Sequence, residues 1–193
     1  MTQNMRLAIH RGEFIDPAWV DRLVDHFAGY YFTALEAYEG DPATAPPVWH
    51  LAHRAAAEAD IVALRQLLLG VNAHINYDLV LSLAEMLEPE WLALSDARRA
   101  DRYLDYCHVN HIIACTVDAV QDQVLEPAMP LLDLLDKLFG PLDERLISSL
   151  LTGWRENVWR NALQLLKTSD AGQRQQVLKT VEEDALRLGE LLG

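Results

Sequence analysis

The stretch LLLGVNAHINYDLVLSL, Leu67–Leu83, decides how the chain is read. Most of it is apolar on every side, which is the pattern of an interior helix rather than a surface one. Yet Asn72, His74, Asn76 and Asp78 stand inside it at alternate positions. At roughly 100° per residue, Asn72 and Asn76 fall on one side of a helix and His74 and Asp78 nearly opposite. These are two polar pairs, each at i, i+4. In the second, the carboxylate can hold the imidazole, fix its tautomer and raise its pKa. A general base needs that preparation, and so does a metal ligand with an outer-shell partner. A buried His–Asp pair that only ties helices together is an equally good reading. Gly70 has no side chain, so a ligand or a neighbouring helix can approach there.

Working outward, the pattern stays helical. Asp16-Pro17 is a start signal, because Asp caps and Pro suits the first helical position. Val20, Leu23, Val24, Phe27, Tyr31, Ala34, Leu35 and Tyr38 recur at helical spacing, and Gly40 closes the helix. After the loop DPATAPP, a helix from about Val48 to Ala59 leads, with a kink near Asp60, into the central helix ending near Leu87. Ser95 caps a long helix to about Leu125. Pro127 and Pro130 bracket a turn into a shorter helix that ends at Phe139-Gly140. Pro141 opens the next, with Leu146, Ile147, Leu150, Leu151, Trp154, Val158, Ala162 and Leu165 on one stripe, and Asp170 caps the last. There is no sustained alternation and no Asn-Gly hairpin turn. The expected fold is all-α: a single multi-helix bundle of about seven helices around a buried central helix. It is expected as one domain over residues 1–193, with an N-terminal arm (1–15), a core bundle (16–169) and a C-terminal charged helix (170–193).

Composition narrows the function classes. Hydrophobic residues make up 51% of the 193, enough for a folded core. The formal charge of −13 repels phosphate backbones and anionic lipid, so neither nucleic acid nor membrane is an expected partner. Cys107 and Cys115 fall eight residues apart on one expected helix, too far for a disulfide, and two reduced thiols suit the cytoplasm. The segment MTQNMRLAIHRGEFIDP has no long apolar run, so no signal peptide is expected. The Asp and His inside Leu67–Leu83 argue against a membrane span.

Three other segments carry polar chemistry. In DYCHVNHII, Asp105–Ile113, His108 projects with Asp101, Asp105 and Ile112 away from the apolar stripe and reads as solvated. Asn110 projects into that stripe and His111 lies at its border. A buried amide needs partners, which a polar cavity or a neighbouring helix can supply. In WHLAH, Trp49 and His53 share a face, and a stacked pair is the favoured reading, with His50 on the rim. In GWRENVWRNAL, Trp154, Val158 and Asn161 share the apolar face, Asn157 sits at its edge, and Glu156 with Arg160 makes a surface pair. Trp154 reads first as core and second as a cavity wall. There is no ExxH pair, HExxH, paired CxxC, Gly-rich phosphate loop or GxSxG elbow.

The run LLLGVNAHINYDL resembles the signature of a bacterial family known as domain of unknown function 5995, with its LLLGxNAHINxDL-like core. FIDPAWVDRLVDHFAGYYFTALEAY is similar to that family's Phe/Tyr-rich N-terminal helix. The Trp49 segment, RRADRYLDYCHVN with Val109-Asn110, and the Trp154 helix follow in the expected order. The resemblance covers roughly Phe14 to Leu166. It implies an all-helical domain and points to Asn72, His74, Asn76, Asp78 and Asn110. It implies no activity. His53 departs from it, where an aromatic or aliphatic residue is expected, and His108 and His111 are not features of it.

Three functional readings follow. In the first, a small-molecule enzyme or binding protein holds its ligand in a pocket lined by Tyr31, Trp49 and Trp154, with His53 as a further contact. His74 would be the acid/base, Asp78 its orienter, and Asn72, Asn76 and Asn110 hydrogen-bond donors. It requires no cofactor. In the second, His74 and Asp78 with His111 or His53 hold a divalent metal for hydrolysis. In the third, the polar pairs fix helix register in a non-catalytic scaffold.

Overall fold

The structure, a computed structural model, describes residues 2–58, 63–120 and 144–192; the side chains of residues 2, 63–64, 110, 113–120, 144–151 and 192 lie outside that description. Helices are α1 (Thr2–His10), α2 (Pro17–Gly40), α3 (Pro47–Ala57), α4 (Ala63–Asn72), α5 (Leu79–Leu87), α6 (Asp96–Val120), α7 (Glu144–Lys167) and α8 (Ala171–Leu192). A 3-10 turn, Pro42–Thr44, follows α2, and a π-helical turn, Ala73–Asp78, joins α4 to α5. With α4, the π turn and α5 counted as one continuous helix, the described residues hold seven helices and no strand. The protein is all-α, as the periodicity predicts. The kink near Asp60, the helix end near Leu125, the turn at Pro127 and Pro130, the short helix to Phe139-Gly140 and the start at Pro141 lie outside the described residues.

The contacts divide the chain into two compact units. The first comprises Met1–Val24 and Ala93–Gly153. Here Thr2–His10 is a helix where the sequence suggests an arm: Met5 and Ala8, three residues apart, are both buried, and α1 packs on α6. Gly12, at φ 69°, turns the chain out of α1 in a left-handed conformation that glycine adopts without strain. Asp16 caps α2 as expected, its Oδ1 accepting the Trp19 N–H at 3.0 Å. Asp105 adds a second cap, accepting the Ile15 and Asp16 N–H groups at 2.7 and 2.8 Å. Arg102 donates to Asp16 at 2.8 Å and lies over the Trp19 ring. Asp105 is therefore buried, and Ile112 is buried too, although both project away from the apolar stripe. The apolar stripe of α6 alone could not show that a carboxylate would meet the free N–H groups at the start of another helix. His108 is half-buried, with its Nε2 3.5 Å from Glu13 and its ring edge-on to Phe14.

The second unit comprises Asp25–Leu92 and Trp154–Gly193. Its core gathers Ala34, Val48, Trp49, Ala52, Ala55, Leu69, Ala73 and Ala185. Five of these eight are alanine, so α3, α4 and α8 approach one another closely around the π turn. Gly189 marks the tightest approach: a Cβ there would stand 2.9 Å from Leu51 Cδ2 and 3.3 Å from Asn72 Nδ2. Asp170 caps α8 as expected, accepting the Gln173 N–H at 2.8 Å. Among the described residues, Arg65–Leu87 is long and apolar enough to cross a membrane by length and composition, and 56% of its most apolar window is buried within the protein.

Candidate functional site: a histidine held on a π turn

Across Ala73–Asp78 the helix widens. The Leu79 N–H bonds the His74 carbonyl five residues back, where an α-helix would reach four. Such turns cost helix stability and recur at functional sites. Both polar pairs form as the spacing predicts. Asn76 Nδ2 donates to Asn72 Oδ1 at 2.9 Å, and His74 Nδ1 meets Asp78 Oδ2 at 2.9 Å.

Asp78 anchors the second pair. It is 1% exposed, and the Trp49 Nε1–H reaches both its oxygens at 3.0 Å. Burial pushes its carboxyl pKa up, and the hydrogen bonds from His74 and Trp49 pull against that without cancelling it. When the Asp78 carboxyl is ionised it only accepts hydrogen bonds, and His74 Nδ1 then carries the shared proton. The neutral imidazole then has its lone pair on Nε2. Among the described residues nothing bonds that atom.

Aromatic rings fix the plane of the imidazole. Phe27 of α2 stacks on it with centroids 3.7 Å apart and planes 11° apart. Tyr31 and Trp49 approach at 6.1 and 6.0 Å. The His74 side chain keeps 28% of its surface exposed, so the ring is confined yet reachable. Trp49 stacks on His53 as expected, at 5.1 Å, and Tyr38 lies against the same ring. Burial lowers the His53 pKa, against the opposing pull of Glu39, and among the described residues its buried Nε2 has no partner. Tyr31, Trp49 and His53 thus gather with His74 and Asp78.

The asparagines of the π turn and Trp154 are not part of this cluster. Asn72 is 1% exposed and donates to the Ala185 carbonyl of α8 at 2.8 Å, so its amide is engaged within the protein. Asn76 and the buried Trp154 line a separate cavity beside α7 and α8. Trp154 therefore shares a cavity with Asn76, whereas Tyr31 and Trp49 attend the histidine. The side chain of Asn110 lies outside the described residues. His111 is exposed in the first unit, 6.0 Å from the His108 ring. Among the described residues no three His, Cys, Asp or Glu side chains gather as a metal-ligand set.

Two partners of the site were not foreseen. Phe27 reads as one more member of the α2 stripe, although its i, i+4 relation to Tyr31 is a visible signal. The Trp49–Asp78 bond joins residues 29 apart and leaves no local trace. One turn beyond, His26 Nδ1 meets Ser82 Oγ at 2.9 Å and its Nε2 lies 3.3 Å from Glu85. Ser82 is wholly buried, so this Ser–His–Glu string has no nucleophile that a substrate could reach.

Fold and site define an all-helical protein whose imidazole is oriented by a buried carboxylate on a π turn. The whole chain, residues 1–193, matches the sequence model of the Family of unknown function (DUF5995), and the protein belongs to that family. No curated protein and no solved structure matches it.

Proposed function

We propose that the protein is a small-molecule enzyme that transfers a proton at His74 Nε2, with Asp78 as orienter. One observation carries this reading: the buried Asp78 carboxylate is held by Trp49 on one side and holds His74 Nδ1 on the other. The base is thereby presented in one tautomer and one plane. A positioned general base contributes roughly 10²–10⁴-fold to a rate. Elimination, isomerisation and cyclisation all need a proton moved and need no cofactor to move it. The bound molecule would meet Nε2, with Tyr31 and His53 as neighbouring contacts. A cytoplasmic metabolite suits this setting.

A metal-dependent alternative has one point in its favour, because a carboxylate on Nδ1 is also the usual partner of a metal-bound imidazole. Asp78 is poorly placed as a direct ligand, since both its oxygens already accept hydrogen bonds.

The test uses carbon acids in D2O. Carbonyl- and hydroxyl-bearing small molecules are incubated with the wild type and with His74→Gln, and exchange of their acidic C–H is followed by NMR. At least one compound should exchange with the wild type and not with the variant. Equal behaviour of the two proteins across the set contradicts the reading. Exchange that appears only after added zinc or manganese would favour the metal alternative.

A further inference from the structure

The asparagine side of the π turn opens onto a cavity of about 560 Å³ within the second unit. This is the size range of small-molecule sites. Its floor is apolar: Trp154, Val158, Val181 and Ala185 are all buried. The lining also holds four primary amides, on Asn76, Asn157, Asn161 and Gln164. Among the described residues, the charged groups in the lining are Arg160 and Asp184, and they cancel. Both are already engaged, Arg160 with Asn157 and Asp184 with Arg187. In a chain of net charge −13, this is a neutral place.

The amides are largely unused. Asn76 gives one N–H to Asn72, and among the described residues nothing bonds its carbonyl oxygen. Among the described residues, the side chains of Asn161 and Gln164 have no hydrogen-bond partner. Each amide offers two donors and an acceptor. A hydroxyl group also donates and accepts, so a run of hydroxyls is the complement of a run of amides. An indole and three aliphatic side chains in the same lining suit the C–H face of a ring. Among the described residues an anion would find no unengaged cation here, and it would meet the repulsive field of the chain.

We infer that this cavity binds a neutral, hydroxyl-rich ring compound of one or two sugar-sized units. The site is distinct from His74 and does not depend on proton transfer there.

Calorimetric titration of the full chain with neutral mono- and disaccharides, the matching uronic acids and glycerol tests the inference. At least one neutral sugar should bind saturably. Loss of a buried hydrogen bond should weaken it by about tenfold in Asn161→Leu. Gln164→Ala, at an exposed position, should weaken it also and guards against misfolding of the first variant. His74→Gln should bind as the wild type does. No saturable binding by any neutral sugar overturns the inference. So does tighter binding of the uronic acids, or binding indifferent to both Asn161→Leu and Gln164→Ala.

Discussion

At the scale of single residues, Asp78 is where stability and chemistry pull apart. Its pKa is raised by burial, so the folded state disfavours its ionised form. The sign follows: stability falls as pH rises from the ordinary 3.8 through the folded value. Asp78→Asn removes that cost and keeps an acceptor for Trp49. It should melt no lower than the wild type at pH 7, in thermal denaturation at matched buffer. Its amide N–H would instead donate to His74 Nδ1, moving the ring proton to Nε2 and abolishing the base. Proton exchange should drop by at least about 10²-fold. Trp49→Phe keeps the ring and loses the donor. It should lower stability by about 1–3 kcal/mol in urea melts and push Asp78 further up. Asp78 and His74 were legible as a pair from their spacing. Trp49 was legible as a ring but not as a donor, because nothing local encodes a bond across 29 residues.

At the scale of elements, the helices and their caps were the most legible part. Asp16, Gly40 and Asp170 mark their ends by chemistry that acts within one turn. The π turn was not legible, since Ala73–Asp78 keeps a helical pattern and only its hydrogen bonds differ. Nor was Asp105 as the second cap of α2, for the N–H groups it meets belong to a segment about 90 residues earlier. Burial would raise the Asp16 pKa, but the Trp19 N–H and Arg102 outweigh it and lower it below 3.8. That stabilisation is present above 3.8 and is lost as pH falls through the folded value. Arg102→Met should lower stability at pH 7 by about 1 kcal/mol, because it removes a hydrogen bond and an ion pair from a partly exposed Asp16 that keeps the weaker pull of Arg22. Urea melts between neutral pH and pH 3 should show a shallower acid loss in the variant. An identical acid slope would refute this role.

At the scale of the whole molecule, the net charge of −13 dominates. Self-repulsion of that size destabilises the compact state and is screened by salt. The melting temperature should therefore rise between about 0.01 and 0.15 M sodium chloride, as the Debye length shrinks from about 30 to 8 Å. The fold class was legible because helical periodicity runs the length of the chain. The division of labour between the two faces of one helix was half legible. Spacing put the asparagines opposite the His–Asp pair. Only tertiary packing showed that Trp154 keeps company with Asn76 and that Tyr31 keeps company with His74. The charged face of α8 conceals its part in the cavity, since Val181, Asp184 and Leu188 read as an ordinary amphipathic helix.

The most direct test of the account is the tautomer of His74, read from long-range ¹H–¹⁵N spectra of the imidazole at a pH where it is neutral. The wild type should carry its proton on Nδ1 and leave Nε2 unprotonated, and Asp78→Asn should reverse the two. A wild-type ring protonated on Nε2, or a tautomer indifferent to Asp78→Asn, would contradict a base held ready by the buried carboxylate.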